Sequence, residues 1–177
     1  MTLTLFLRDL ISEGEITMKY RLKNEYKIDA PSDIIWDTIC DVEAWPDVWK
    51  YIRKMRLRGD EETIRMNTII DCEVMAFLPY VFRFSTEIIK LVPYKELEVI
   101  SRGDLVGSGL WTLDHKMENI TQSSFIWDVE PQNQLTRTIA RIPLGKHLLC
   151  YGHNCVMENG YQSLLTLLEL NKKHESV

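Results

Sequence analysis

The sequence predicts an α+β domain: a run of antiparallel strands covered on one face by a single long C-terminal helix. Two patterns carry this reading. Between Tyr51 and Glu130, apolar and polar residues alternate in short segments separated by turn residues, the period of half-buried strands. From Leu144 to Leu170 the period changes to that of a helix. Strands that follow one another through short turns pair antiparallel, and one helix buries one face of such a sheet.

The elements follow in order. From Tyr20 to Ala30, Leu22, Tyr26 and Ile28 alternate with Lys23, Glu25, Lys27 and Asp29, giving the first strand. Pro31 ends it, Ser32 and Asp33 offer N-cap oxygens, and Ile35, Trp36 and Ile39 mark a short helix to Asp41. A second short helix, Val42 to Trp49, carries Trp45 and Trp49 and has Pro46 at a position compatible with a first turn. The second strand, Tyr51 to Arg58, sets Tyr51, Arg53, Met55 and Leu57 on one side and Ile52, Lys54, Arg56 and Arg58 on the other. After a turn at Gly59–Glu62, the third strand spans Ile64 to Met75 with Met66, Thr68, Ile70, Cys72 and Val74 on one face. Leu78–Pro79 breaks it. The fourth, Tyr80 to Leu91, shares Tyr80, Phe82, Phe84, Thr86 and Ile88 on a face; the fifth runs from Glu96 to Arg102. Leu105–Asp114 and Thr121–Glu130 then form a hairpin around Lys116–Asn119. Gln132 to Pro143 fits a loop, a strand end or a short helix equally well.

On the C-terminal helix, Leu149, His153, Val156, Met157, Gly160, Leu164, Leu167 and Leu168 share one face, with Glu158, Gln162 and Glu169 opposite. Two of these depart from a plain core stripe. His153 is ionisable, and a mid-helix glycine such as Gly160 costs about 1 kcal/mol relative to Ala. Something must approach closely at Gly160, either a packed strand or a ligand held between helix and sheet.

Composition bounds the function. With 177 residues, 45% of them apolar, the chain is long enough for one well-filled domain. A net charge of −5 argues against a nucleic-acid binder, since Lys50 to Arg58 is the only short basic stripe. The four cysteines, Cys40, Cys72, Cys150 and Cys155, lack paired C-x-x-C spacing and read as reduced thiols, which suggests a cytoplasmic protein. The histidines at positions 115, 147, 153 and 174 make no metal-ligand spacing, so neither metal nor cofactor is expected. Residues 1–18 form an extension without signal-peptide or membrane-anchor character. Its apolar residues, including Leu3, Phe6 and Leu10, fit a short amphipathic helix, while a translation start at Met18 would remove it. The domain proper covers 19–171, followed by a tail, 172–177.

Five segments in this order, YKIDAPSDIIWDTICDVEAWPDVW, LPYVFRF, GDLVGSGLWTL, SFIWDVEP and HNCVMENGYQSLL, resemble the START-like superfamily, also called SRPBCC proteins. Within it the chain is most similar to the polyketide cyclase/dehydrase and lipid-transport group, over Tyr20 to Leu168. The resemblance implies a helix-grip fold, in which a curved sheet wraps the C-terminal helix and leaves an apolar cavity roofed by the two small helices. Gly103, Gly107 and Gly109 then sit where such a sheet needs bends. GDLVGSG lacks the Lys-Ser/Thr of a phosphate-binding loop.

Under that geometry the cavity-lining candidates are Trp45, Trp49, Phe84, Trp111, Phe125, Trp127, His153, Val156, Met157 and Gly160. Ordinary core packing accounts for the aromatics about as well as ligand contact does, and Met157 suits gap-filling. His153 is the best candidate for a catalytic or ligand-orienting group, with Arg83, Thr86 or Ser123 as helpers and Asp104 or Glu73 as partners brought by the fold. A core histidine held by a hydrogen bond is the plain alternative. The expected function is binding or transport of a hydrophobic lipid, quinone or polyketide-like molecule, with membrane contact at most transient and oligomeric state open. An enzyme of cyclase or dehydratase type using the same cavity, and an interaction module with a filled interior, are the alternatives.

Overall fold

Apolar side chains at every second residue assemble into one sheet, and the helical face closes over it. The computed structural model describes residues 19–75, 80–117, 119–141 and 143–174. Along the chain come β1 (Tyr20–Ile28), α1 (Ser32–Cys40), a 3-10 turn (Val42–Ala44), α2 (Trp45–Val48), β2 (Ile52–Leu57), β3 (Ile69–Val74), β4 (Phe82–Val92) and β5 (Glu96–Gly103). They are followed by β6 (Leu105–Met117), β7 (Ile120–Pro131), α3 (Gln134–Arg141) and α4 (Gly145–His174).

The seven strands form one antiparallel sheet in the order β1-β7-β6-β5-β4-β3-β2, curled into a half-barrel around α4. This is the helix-grip fold. Strands β2 to β7 pair with their neighbours in chain order, while β1 lies beside β7 at one edge and sets Tyr20 opposite Val129. The two free edges carry charge on their outward positions, Arg21, Lys23, Glu25 and Lys27 on β1 and Arg53, Lys54 and Arg56 on β2, which discourages pairing with another sheet.

Curling leaves its mark at Gly103. Its φ of +122° favours glycine, and a Cβ there would lie 2.8 Å from the Arg83 carbonyl oxygen of β4. The core lies between sheet and helices. Ile28, Ala30, Ile35, Trp36, Ile39, Leu113 and Leu168 fill one end, and Val42, Leu57, Ile70, Cys72 and Ile88 the region beneath the 3-10 turn. Thr121 is wholly buried and donates to the Ala30 carbonyl at 2.8 Å, so its hydroxyl is satisfied.

Several boundaries differ from the pattern reading, each for a local reason. In β2 a register shift between Ile52 and Lys54 bulges the strand at Arg53. Ile52 is therefore buried on the same side as Leu57, and Arg53 is exposed, the reverse of strict alternation. The strand expected from Ile64 begins only at Ile69, because Asn67 takes a left-handed φ of 67° and the Thr68 hydroxyl closes a turn with Arg65 and Glu61. Met66, grouped by alternation on one face with Ile70 and Cys72, is exposed whereas those two are buried. Pro31 occupies the N-cap of α1, so neither Ser32 nor Asp33 caps it; the Asp33 carboxylate accepts instead from the Ile34 amide. Gln132 to Pro143, open among three readings, contains α3, and α4 runs to His174 rather than Leu170. The proposed amphipathic helix in 1–18 and the Leu78–Pro79 break lie outside the described residues.

Candidate functional site

Between the concave face of the sheet and α4 lies a cavity of about 230 Å³. Strand alternation sends Phe84 of β4, Trp111 of β6, and Phe125 and Trp127 of β7 into it, while the helix face supplies His153, Val156 and Met157. Trp45 and Trp49 roof it. Nine of the ten sequence-derived candidates thus meet around one volume; Gly160 stands apart.

The aromatic rings form a continuous wall. Ring centroids are 4.7 Å apart for Trp45 and Trp49, 6.2 Å for Trp45 and Trp111, 5.4 Å for Trp111 and Phe125, and 5.9 Å for Phe84 and Trp127. An indole N–H left unpaired in such a place would be costly. Each of three is directed to a protein acceptor: Trp45 Nε1 to the Thr38 carbonyl at 3.3 Å, Trp49 Nε1 to the Val156 carbonyl at 2.7 Å, and Trp111 Nε1 to Ser123 Oγ at 2.8 Å. These three rings consequently present carbon to the cavity.

Gly160 meets neither a strand nor the cavity but the indole of Trp49. A Cβ at 160 would sit 2.0 Å from that ring. Val156 and Gly160 are four apart, so the carbonyl that receives the indole N–H belongs to the helical turn that Gly160 closes. The glycine lets the ring lie directly on the helix backbone.

His153 is held by a residue that sequence periodicity did not nominate. Its Nε2 is 2.8 Å from Asn24 Oδ1 on β1, and Asn24 Nδ2 is 3.5 Å from Asn154 Oδ1. With the amide so oriented, His153 Nε2 donates and Nδ1 keeps its lone pair. Asp104 and Glu73 serve elsewhere: Asp104 accepts from Tyr80 Oη and the Arg83 amide, both at 2.8 Å, and Glu73 pairs with exposed Arg83 on the outer surface. Arg83 therefore faces away from the cavity. The His153 ring lies 5.7 Å from Trp127 and 6.4 Å from Phe125, and burial pushes its pKa down to about 4, so it is neutral near pH 7.

Ser123 is committed to Trp111, while Thr86 lines the cavity. Of three further hydroxyl-bearing residues that line it, Thr136 donates to the Asn133 carbonyl, and the other two, Tyr20 and Ser101, were not singled out from the sequence. Their signal lay in strand register: Thr86 pairs with Ser101, Ser101 with Gly107, Gly107 with Val129 and Val129 with Tyr20, a row crossing five strands on the inner face. Burial pushes the thiols of Cys40 and Cys72 up to about 12, which makes them poor nucleophiles. Among the described residues no group of three or more His, Cys, Asp or Glu is placed to hold a metal ion.

Comparison with known proteins agrees with this architecture. A search of curated proteins finds no match. Among solved structures, the Zhui aromatase/cyclase of Streptomyces sp. R1128 superposes with a TM-score of 0.68 at 12% identity, over 86% of this chain and 94% of that one. A START superfamily protein of Mycobacterium smegmatis gives 0.65 at 14% identity over 85% and 97%. Norcoclaurine synthase of Thalictrum flavum gives 0.59 at 14% identity over 90% and 99%. At such identities the likeness is one of fold. The family model for polyketide cyclase/dehydrase and lipid transport matches residues 28–146, and the chain belongs to that START-like family.

Proposed function

We propose that the chain binds and carries an apolar small molecule of lipid, quinone or polyketide type in the cavity between sheet and helix. The chemistry of the lining carries this reading. Aromatic and aliphatic side chains surround the volume, no described lining residue is Lys, Arg, Asp or Glu, and the histidine is neutral near pH 7. Each 100 Å² of apolar ligand surface removed from water here contributes ~2.5 kcal/mol. His153 Nδ1 supplies an acceptor to orient a ligand hydroxyl.

A cyclase or dehydratase is the second reading, favoured by one observation, the positioned His153–Asn24 pair. A base with a pKa near 4 is poorly matched to proton abstraction at neutral pH, which weighs toward carriage. Native mass spectrometry of freshly purified protein, with organic extraction of any adduct, tests the proposal. A stoichiometric apolar adduct, or uptake of the neutral fluorophore N-phenyl-1-naphthylamine, is expected. A bare mass together with no fluorophore uptake would sink it.

A further inference from the structure

One part of the cavity wall carries buried hydroxyls that no described residue pairs. Tyr20 and Ser101 are 6% and 0% exposed, and neither hydroxyl has a hydrogen-bond partner among the described residues. A buried hydroxyl without a partner is destabilising, and native interiors hold few of them. Both side chains line the cavity, and both stand in the single inner-face row that also contains Thr86. The Thr86 hydroxyl is only weakly engaged, by a 3.9 Å hydrogen bond with Cys72 Sγ in which either atom can be the donor. The hydroxyls of Tyr20, Ser101 and Thr86 are each able to donate and to accept. Elsewhere in the lining, the indoles of Trp45, Trp49 and Trp111 and the hydroxyl of Thr136 are paired within the protein.

We propose that Tyr20, Ser101 and Thr86 form a hydroxyl-lined subsite that recognises an uncharged hydroxyl or carbonyl group on an otherwise apolar, ring-containing ligand. This rests on the cavity being a ligand site and narrows what it takes. The aromatic wall favours flat rings by stacking and area. A carboxylate or phosphate is disfavoured, because no cationic side chain stands among the described lining residues and burial of an unpaired charge costs far more than burial of a hydroxyl. Phenolic or keto-bearing ring systems fit, whereas free fatty acids and phospholipid headgroups do not.

Displacement of N-phenyl-1-naphthylamine by three probes tests this: 2-naphthol, its isostere 2-methylnaphthalene, and the anion 2-naphthoate. The native chain is expected to prefer 2-naphthol about tenfold over each of the other two, since a site with hydroxyls to satisfy rejects an analogue that leaves them unpaired. In Tyr20→Phe with Ser101→Ala that preference over 2-methylnaphthalene should vanish, with 2-methylnaphthalene binding as tightly as before or tighter. The thermal midpoint of the free variants should be unchanged or higher, because no existing hydrogen bond is removed. Equal binding of all three probes to the native chain, or a preference that survives both substitutions as trapped water would allow, overturns the subsite but leaves apolar carriage standing. A fall in thermal midpoint like that from deleting a paired hydroxyl such as Thr121 also overturns it. Failure of the fluorophore and every probe to bind overturns the carrier reading itself.

Discussion

Two regions of the interior use similar residue types differently: the helix–sheet contact around Gly160, which lies outside the main cavity, and the row through Tyr20 and Ser101, which lines it. Near Gly160, three polar atoms of the aromatic cluster are matched: Trp49 Nε1 with the Val156 carbonyl, Trp111 Nε1 with Ser123, Tyr161 Oη with the Lys27 carbonyl at 3.2 Å. Tyr26 and Tyr161 stack there with centroids 4.3 Å apart, fastening α4 to β1. The buried hydroxyls of Tyr20 and Ser101 have no partner among the described residues. Aromatic N–H and O–H groups paired in the first region mark it as structural, and cavity-lining hydroxyls without a partner among the described residues mark the second as addressed to something outside the chain.

The harshest way to break this contrast is Gly160→Leu. The indole it would strike is pinned by its bond to the helix, so it has little room to yield, and a loss at or above the ~3 kcal/mol end of overpacking is expected in urea denaturation. A loss of stability with ligand uptake retained by the folded fraction would confirm that this region is structural. Unchanged stability would mean Trp49 does not sit on the glycine.

Next in size is the pH dependence from His153. Its pKa falls from 6.5 to about 4 on folding, so between those values the unfolded chain binds a proton that the folded chain refuses. Stability is therefore fully present above pH 6.5 and is lost as pH falls toward 4, by about 3 kcal/mol at completion. His153→Gln, which keeps a donor for Asn24, should flatten that part of the stability profile. An identical slope in both proteins would show that His153 titrates normally.

The smallest effects discriminate best. Ser123→Ala strands the Trp111 N–H and is expected to cost ~1–3 kcal/mol, whereas Ser101→Ala, the same change in an equally buried setting, should cost nothing measurable. Equal losses in the two variants would erase the distinction between the regions. Thermal melts of both, run side by side, decide it.

Much of this was legible before folding was considered. Period-two alternation marked the strands, with β1, β2, β4, β5 and β7 placed within two residues of their observed bounds at either end, and the helix face from Leu149 to Leu168 follows directly from its 3.6-residue period. Alternation also brought Phe84, Trp111, Phe125 and Trp127 to the inner face, since a strand's side preference is a local property. Where local rules were broken, at the Arg53 bulge and the Asn67 turn, the cause was a backbone choice that hydropathy does not record.

By itself, then, the chain determined which residues face inward and that one helix must cover one curled sheet, because burial depends on spacing along the backbone. Only the tertiary structure decided partners. It set β1 beside β7, so Asn24 reaches His153 across 129 positions of sequence; it laid Trp49 on Gly160; and it aligned Tyr20 with Ser101 through strands that are distant in the chain. Hydrogen-bond satisfaction is a property of pairs, and pairs this far apart are chosen by strand order and register rather than by any local pattern.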